Sequence, residues 1–200
     1  MARKLSVFTI QNCEGIIPMA EKPTAMHGPL GEAIAFAARA HRHHLRKDGE
    51  TPYVSHVFRV CLVVRDVFGI SDPQVLMAAV LHDTIEDTTT DFDDLAEHFG
   101  AEVAAWVASL SKDKRLPEDK REAAYCQELA DSPWQVQACK LADIFDNLMD
   151  SSTMPPARRA RTLANARRYI DALHSDLKAQ AAGPWRTVAA LREEIEQETQ

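Results

Sequence analysis

The sequence predicts an all-α protein, a helical bundle of about eight to ten helices, and three observations carry that reading. From Leu30 onward apolar residues recur at helical spacing, beginning with Ala33, Ile34, Phe36, Ala37 and Ala40. After residue 28 no stretch shows the apolar–polar alternation of period two that marks a half-buried strand. The pairs Thr51-Pro52, Asp72-Pro73 and Ser132-Pro133 then punctuate the chain with a capping side chain followed by proline, the combination that opens helices. With 200 residues, 46% of them hydrophobic, the chain is long enough to bury a sizeable core as one domain.

Taken in order, residues 1–28 are expected to form an irregular N-terminal arm, because Pro18, Pro23 and Gly28 interrupt it and its one strand-like run, residues 5–10, has no partner. Residues 29–200 form the domain with its C-terminal helices. The first helix starts at Leu30 and ends in the polar run His41-Arg42-His43-His44-Leu45-Arg46-Lys47, whose three histidines read as a solvated helix end rather than a second metal site. Asp48-Gly49 marks a turn, and a second helix follows over about 53–68 with Val57, Val60, Cys61 and Val64 inward. Gly69 stops it. The third helix opens at Asp72-Pro73, carries the apolar run 75–81 and continues through His82-Asp83-Thr84-Ile85-Glu86-Asp87. A short helix from Thr90 to Phe99 is stopped by Gly100, and another covers 101–110. After the polar loop 111–117 come helices over 118–130 and from Pro133 to about Met149. Pro155-Pro156 opens a long helix to about Gln180, and Pro184 opens the last, to Glu196.

Composition narrows function by exclusion. The charge is 23 − 30 = −7 with no long basic run, which disfavours non-specific nucleic-acid or anionic-membrane binding but leaves room for a local basic pocket. Cys13, Cys61, Cys126 and Cys139 show no CxxC spacing, and Cys61 and Cys139 sit in apolar periodic segments, so a reduced, cytoplasmic protein is expected. No secretory signal is evident, and no run approaches the roughly 20 apolar residues of a membrane span.

The chemistry is concentrated around His82. On one continuous helix, His82 and Glu86 would share a face, with Asp83 and Asp87 beside them, so that one imidazole and three carboxylates project from the end of a buried rod. The bland reading is a helix end emerging into water. Two further stretches weigh against it. His56, in Thr51-Pro52-Tyr53-Val54-Ser55-His56, faces the core one turn into its helix, and taken alone would be a satisfied core histidine. Asp143, in Lys140-Leu141-Ala142-Asp143-Ile144-Phe145-Asp146-Asn147, interrupts an apolar face, where a carboxylate demands a metal or a cationic partner. Two histidines and two aspartates from three helices make a mixed nitrogen–oxygen donor set suited to Mn²⁺, Fe²⁺, Zn²⁺ or Ni²⁺ rather than Ca²⁺. Glu86 and Asp87, one turn beyond, are placed to orient or deprotonate a water.

The order His56, His82-Asp83, Asp143 resembles the H…HD…D pattern of the HD phosphohydrolase superfamily. Within it, the stretches from Arg46 to His56, from Ala79 to Thr88, and Lys140-Leu141-Ala142-Asp143 with Asn147 are similar to the hydrolase domain of the RelA/SpoT alarmone enzymes. The likeness is greatest to the small stand-alone alarmone hydrolases, which His98-Phe99-Gly100 and Asp113-Lys114-Arg115-Leu116-Pro117 also resemble, and it covers about residues 30–180. The resemblance implies an all-helical HD bundle, Mn²⁺, and hydrolysis of the 3′-diphosphate of guanosine 3′,5′-bis(diphosphate) with release of pyrophosphate. Residue by residue, it implies His56, His82, Asp83 and Asp143 as metal ligands and Glu86 and Asp87 as the catalytic acid pair. Arg46 and Lys47 would line the nucleotide pocket, with Arg46 stacked on the base, Asn147 near the sugar and Tyr169 near the ligand. Two departures bear on the pocket: Ile144 stands where the family commonly has a basic residue, and Phe145-Asp146 replaces an aliphatic or aromatic pair. No segment resembles the synthetase or regulatory regions of the larger family members, so hydrolysis without an inbuilt opposing synthesis is expected. The alternatives left open are an HD phosphatase for an adenosine alarmone or the 2′-phosphate of NADPH, and a regulator that binds alarmone without hydrolysing it.

Overall fold

The structure, a computed structural model, describes residues 28–173 and, beyond them, residues 177, 183, 184, 186, 187, 190 and 193. The expected N-terminal arm lies outside the described residues apart from Gly28, and so does most of the chain expected to form the end of the long helix and the last one. Among the described residues there are nine α-helices and no strand, only an isolated antiparallel bridge between Leu45 and Pro52. The helices are α1 (Gly28–Ala40), α2 (Val54–Leu62), α3 (Pro73–Leu81), α4 (Thr84–Asp87), α5 (Phe92–Phe99), α6 (Ala101–Leu110), α7 (Glu118–Asp131), α8 (Trp134–Met149) and α9 (Pro156–Ala172). The all-α expectation holds.

Helix α3 is the axis of the bundle. Asp72 caps it, its side chain accepting from the Gln74 N–H at 2.8 Å, and Pro73 occupies the first turn, where a missing N–H costs nothing. Every residue from Val75 to Leu81 is buried, and α1, α2, α6 and α8 pack around it. Burying each large aliphatic side chain there contributes about 1.5–3 kcal/mol, which fixes the rod that ends at His82. Helix α2 runs into a π-helical turn, Val63–Val67, with the Phe68 N–H donating to the Val63 carbonyl at 3.0 Å; the turn keeps Val63 and Val64 in the core.

Two local structures differ from the sequence expectation. The rod does not continue through Glu86: α3 stops at Leu81, Asp83 sits at φ −99°, ψ 0°, and α4 begins at Thr84. Side chains take the helix carbonyls at the break, His82 Nδ1 lying 2.8 Å from the Ala79 oxygen and Thr84 Oγ1 donating to the Leu81 oxygen at 2.7 Å. The histidines after α1 are also not a solvated end as a group. His41 is 2% exposed, with its Nδ1 3.2 Å from His44 Nδ1 and its ring 5.0 Å from that of Tyr53, whereas His43 is exposed. Burial lowers the His41 imidazole to about 4, so it packs as a neutral ring.

Candidate active site

Three segments deliver the central side chains. A tight loop leads into α2: the Arg46 N–H donates to the Thr51 carbonyl at 2.7 Å, the Tyr53 N–H to the His44 carbonyl at 2.8 Å, and Gly49 takes φ +78°, a conformation that favours glycine. The Asp48 carboxylate closes the loop from inside, accepting from the N–H groups of Glu50 and Thr51, both at 2.9 Å. His56 follows one turn into α2, His82 and Asp83 occupy the break between α3 and α4, and Asp143 comes from the middle of α8.

Their donor atoms converge. His56 Nε2 lies 3.1 Å from Asp143 Oδ1 and 3.7 Å from Asp83 Oδ2, while His82 Nε2 lies 3.0 Å from Asp83 Oδ2 and 3.8 Å from Asp143 Oδ1. Among the described residues, His56, His82 and Asp143 meet the distances of a metal-ligand group, with donor atoms all within 4.8 Å of one another, and Asp83 closes the fourth side. The outer atoms of both rings are already committed, His56 Nδ1 to Asp146 Oδ2 at 2.7 Å and His82 Nδ1 to the Ala79 carbonyl. Each ring therefore directs Nε2 inward, the arrangement by which an outer carboxylate or carbonyl orients a metal-bound imidazole. His82 Nε2 is fully buried and makes no aligned hydrogen bond despite its approach to Asp83. A buried nitrogen left so is costly, and coordination would satisfy it. The charges agree: burial pulls the His82 imidazole down, but the Asp83 and Asp143 carboxylates outweigh it and push it up to about 9, so the site demands a positive charge that a divalent ion would supply. The donor set fits a metal.

Supporting groups hold the carboxylates. Tyr53 Oη donates to Asp83 Oδ2 at 2.5 Å. Lys140 Nζ donates to Asp143 Oδ2 at 2.8 Å and Asn147 Nδ2 to Asp143 Oδ1 at 2.6 Å. Burial opposes ionisation of Asp143, yet Lys140 and the two imidazoles win and hold its carboxyl well below the usual range. Asp146 also receives Arg59 Nε and Nη2, at 2.5 and 2.9 Å.

Beside the donor cluster opens a cleft of about 310 Å³, lined among others by Arg46, Lys47, Glu86, Lys112, Asn147 and Tyr169. Glu86 Oε2 accepts from the Lys112 backbone N–H at 3.0 Å, and burial, working against that bond, raises its carboxyl above the ordinary range. Asp87 is paired with Lys114 Nζ at 2.7 Å. Arg46 donates through Nη2 to Asn147 Oδ1 at 3.1 Å and to Asp150 Oδ2 at 2.9 Å, with its guanidinium 5.5 Å from the Tyr53 ring. Tyr169 is buried and donates to Glu122 Oε2 at 2.5 Å. All ten sequence-singled residues thus lie in or against one site: four at its centre, six around the cleft.

Sequence reasoning missed Asp146, Arg59, Tyr53, Lys112 and Lys140 as working parts. The first two carried a readable signal, since Arg59 stands one turn from the buried His56 and Asp146 one turn from Asp143 on a buried face. Asp146 was a departure from the expected pattern; in the structure it is the carboxylate that orients His56.

A helical bundle with a two-histidine, two-aspartate donor set, of which His56, His82 and Asp143 are buried, beside a cleft lined by both cations and carboxylates has what a metal-dependent hydrolase of the phosphoester type requires. Residues 33–180 match the HD domain family, and the chain belongs to it. It is 42% identical over 128 residues, 64% of this chain and 72% of its relative, to the human protein guanosine-3′,5′-bis(diphosphate) 3′-pyrophosphohydrolase MESH1. The Drosophila melanogaster protein of the same name is 37% identical over 148 residues, 71% of this chain and 83% of that one. Among solved structures, a metazoan ortholog of SpoT described as hydrolysing ppGpp superposes with a TM-score of 0.74 at 31% identity, covering 88% of this chain and 98% of that one. The chain is a MESH1-like member of the HD domain family.

Proposed function

We propose that this chain hydrolyses the 3′-diphosphate of guanosine 3′,5′-bis(diphosphate), releasing pyrophosphate, with a divalent metal, Mn²⁺, held by His56, His82, Asp83 and Asp143. The observation that carries the reading is the convergence of those four side chains beside one open cleft, whose lining sets Arg46, Lys47, Lys112 and Lys140 among the carboxylates Asp83, Glu86, Asp87 and Asp143 in a protein of net charge −7. With a divalent ion held among the carboxylates, the four cations suit a small, highly anionic ligand rather than a polyanion spread over the surface. The nitrogen–oxygen donors suit manganese, and the named relatives supply the substrate class.

When bound, the metal acidifies a water and neutralises charge on the reacting phosphate. The chain's own residues do the rest. Glu86, raised by burial and fixed by the Lys112 N–H, accepts the proton of the attacking water, with Asp87 beside it anchored by Lys114. The water oxygen bonds to the phosphorus nearest the ribose, the bond from that phosphorus to the 3′-oxygen breaks, and the 3′-oxygen takes up a proton. The products are the nucleoside 5′-diphosphate with a free 3′-hydroxyl and pyrophosphate. Arg46 offers a guanidinium face for the base, Lys47 an ammonium for phosphate oxygens, Asn147 a polar contact near the sugar and Tyr169 a wall near the ligand. A regulator that only bound the nucleotide would have no use for the Glu86–Asp87 pair at the cleft. A cytoplasmic place accords with three described cysteines, Cys61, Cys126 and Cys139, that are all free.

The test is pyrophosphate release from the guanosine nucleotide after chelation and after Mn²⁺ is returned. Loss on chelation and recovery with Mn²⁺ are expected. Turnover that survives complete removal of metal contradicts the reading.

A further inference from the structure

The inner end of the cleft is built from residues that the donor set does not explain. Lys112 Nζ stands 5.1 Å from the centre of the Tyr125 ring and 4.7 Å from that of Tyr169, and Lys140 Nζ stands 5.2 and 4.8 Å from the same two centres. Two ammonium groups thus share two aromatic walls, and the rings themselves meet edge to face with centroids 5.6 Å apart. Lys140 is committed to Asp143. Lys112 donates to Tyr169 Oη at 2.5 Å and to Glu122 Oε1 at 3.2 Å, which leaves one of its three N–H donors for the cleft it lines. Glu122 is shared in turn with the Tyr169 hydroxyl and with Arg168, whose Nη1 lies 3.8 Å away. Glu122 therefore faces two cations, Lys112 and Arg168, while Lys140 is matched by Asp143.

Lys112 is tied at both ends: its backbone N–H holds Glu86 Oε2 and its ammonium is fixed by Tyr169 and Glu122. Lys140 links Asp143 of the donor cluster to the ring walls that it shares with Lys112. A phosphate attacked beside Glu86 and linked to a second phosphate would carry that second group towards the Lys112 ammonium. A lone monophosphate ends short of it.

We infer that Lys112 takes the distal phosphate of a 3′-diphosphate and so selects a diphosphate over a monophosphate ester at the reacting position. This rests on reading the cleft as a nucleotide phosphohydrolase site and adds the residue that distinguishes its substrates. Lys112 acts by contact with the part of the substrate that is not attacked, so it is a specificity residue, and the Tyr125 and Tyr169 rings with Glu122 position it.

Lys112→Met keeps the backbone N–H for Glu86 and most of the stem while removing the charge. The experiment compares kcat/KM for the guanosine nucleotide carrying a 3′-diphosphate with that for the same nucleotide carrying a 3′-monophosphate, in wild type and variant. Loss of one charge-assisted contact predicts a fall on the order of tenfold or more for the diphosphate and none for the monophosphate. Equal falls for both would make Lys112 a support for Glu86, and no fall would remove it from the site; either overturns the inference. Calorimetric binding of inorganic pyrophosphate against orthophosphate to metal-loaded wild-type and Lys112→Met proteins reads the same contact without turnover. A preference for pyrophosphate that shrinks in the variant is expected, and a preference unchanged by the substitution overturns the inference. A preference that depends on Lys112 in a protein that turns over neither nucleotide refutes the proposed activity while leaving Lys112 its role.

Discussion

Asp146 Oδ2 lies 2.7 Å from His56 Nδ1, and this contact fixes which nitrogen of His56 faces the donor cluster. The same carboxylate takes two nitrogens of Arg59, so it is held ionised by His56 and Arg59 against the cost of burial. Asp146→Asn keeps the shape and removes the charge. Losing an outer partner of this kind costs roughly 10–100-fold in metal affinity, to be read by metal titration with the helical circular dichroism unchanged. Undiminished affinity would mean that Arg59, not His56, is what Asp146 serves.

Glu86→Gln combined with Asp87→Asn is expected to retain the metal and lose most of the rate. Removing a positioned base typically lowers kcat by about 10²–10⁴-fold. Elemental analysis alongside the kinetics separates the cases, because metal lost together with rate would make these residues ligands.

The pH profile of kcat/KM should show the same residue. Burial raises the Glu86 carboxyl above its ordinary 4.5, opposed by the Lys112 N–H. A base works ionised, so activity falls as pH drops through that raised value, and the acid limb lies above 4.5. In Glu86→Gln the limb assigned to this carboxyl disappears from the residual rate. A limb that persists unmoved in the variant belongs to another group.

Arg46→Lys tests the nucleotide pocket. The guanidinium is already ordered by Asn147 and Asp150 and lies over Tyr53, so its plane is set before any ligand arrives. Lysine keeps the charge but cannot present a flat face or bridge both oxygens. The expected effect is a KM raised on the order of tenfold, about 1–2 kcal/mol, with metal content intact. An unaltered KM would place Arg46 outside the base contact, and a loss confined to kcat would assign it to the phosphates.

The helical architecture was legible because periodicity and capping are local. Asp72-Pro73 and Pro155-Pro156 each open a helix as their chemistry predicts, whereas Thr51 and Ser132 cap nothing: the Thr51 hydroxyl donates to Asp48, α2 starts only at Val54, and the Ser132 hydroxyl turns back to the Glu128 carbonyl. The four central ligand candidates were legible because two of them, His56 and Asp143, interrupt apolar faces where a polar group needs a reason. The break after Leu81 was not legible, since it depends on His82 and Thr84 turning back onto their own helix. His41 was misread because its burial is decided by Tyr53 and His44 after the loop has folded back. Lys112, Tyr125 and Glu122 escaped for a related reason. They lie on a loop and a helix with ordinary surface composition, and only the packing of α7 and α9 brings them together.

The central claim is that this site cleaves a diphosphate from a guanosine nucleotide, and product analysis across a substrate panel tests it most directly. Wild-type protein in Mn²⁺ buffer is given guanosine 3′,5′-bis(diphosphate), its adenosine counterpart and NADPH, and both pyrophosphate and orthophosphate are measured. The account predicts pyrophosphate from the guanosine nucleotide in equal amount to the guanosine diphosphate formed, at the highest kcat/KM of the three. Orthophosphate from NADPH as the dominant product, or no turnover of the guanosine nucleotide by metal-loaded protein, would contradict it.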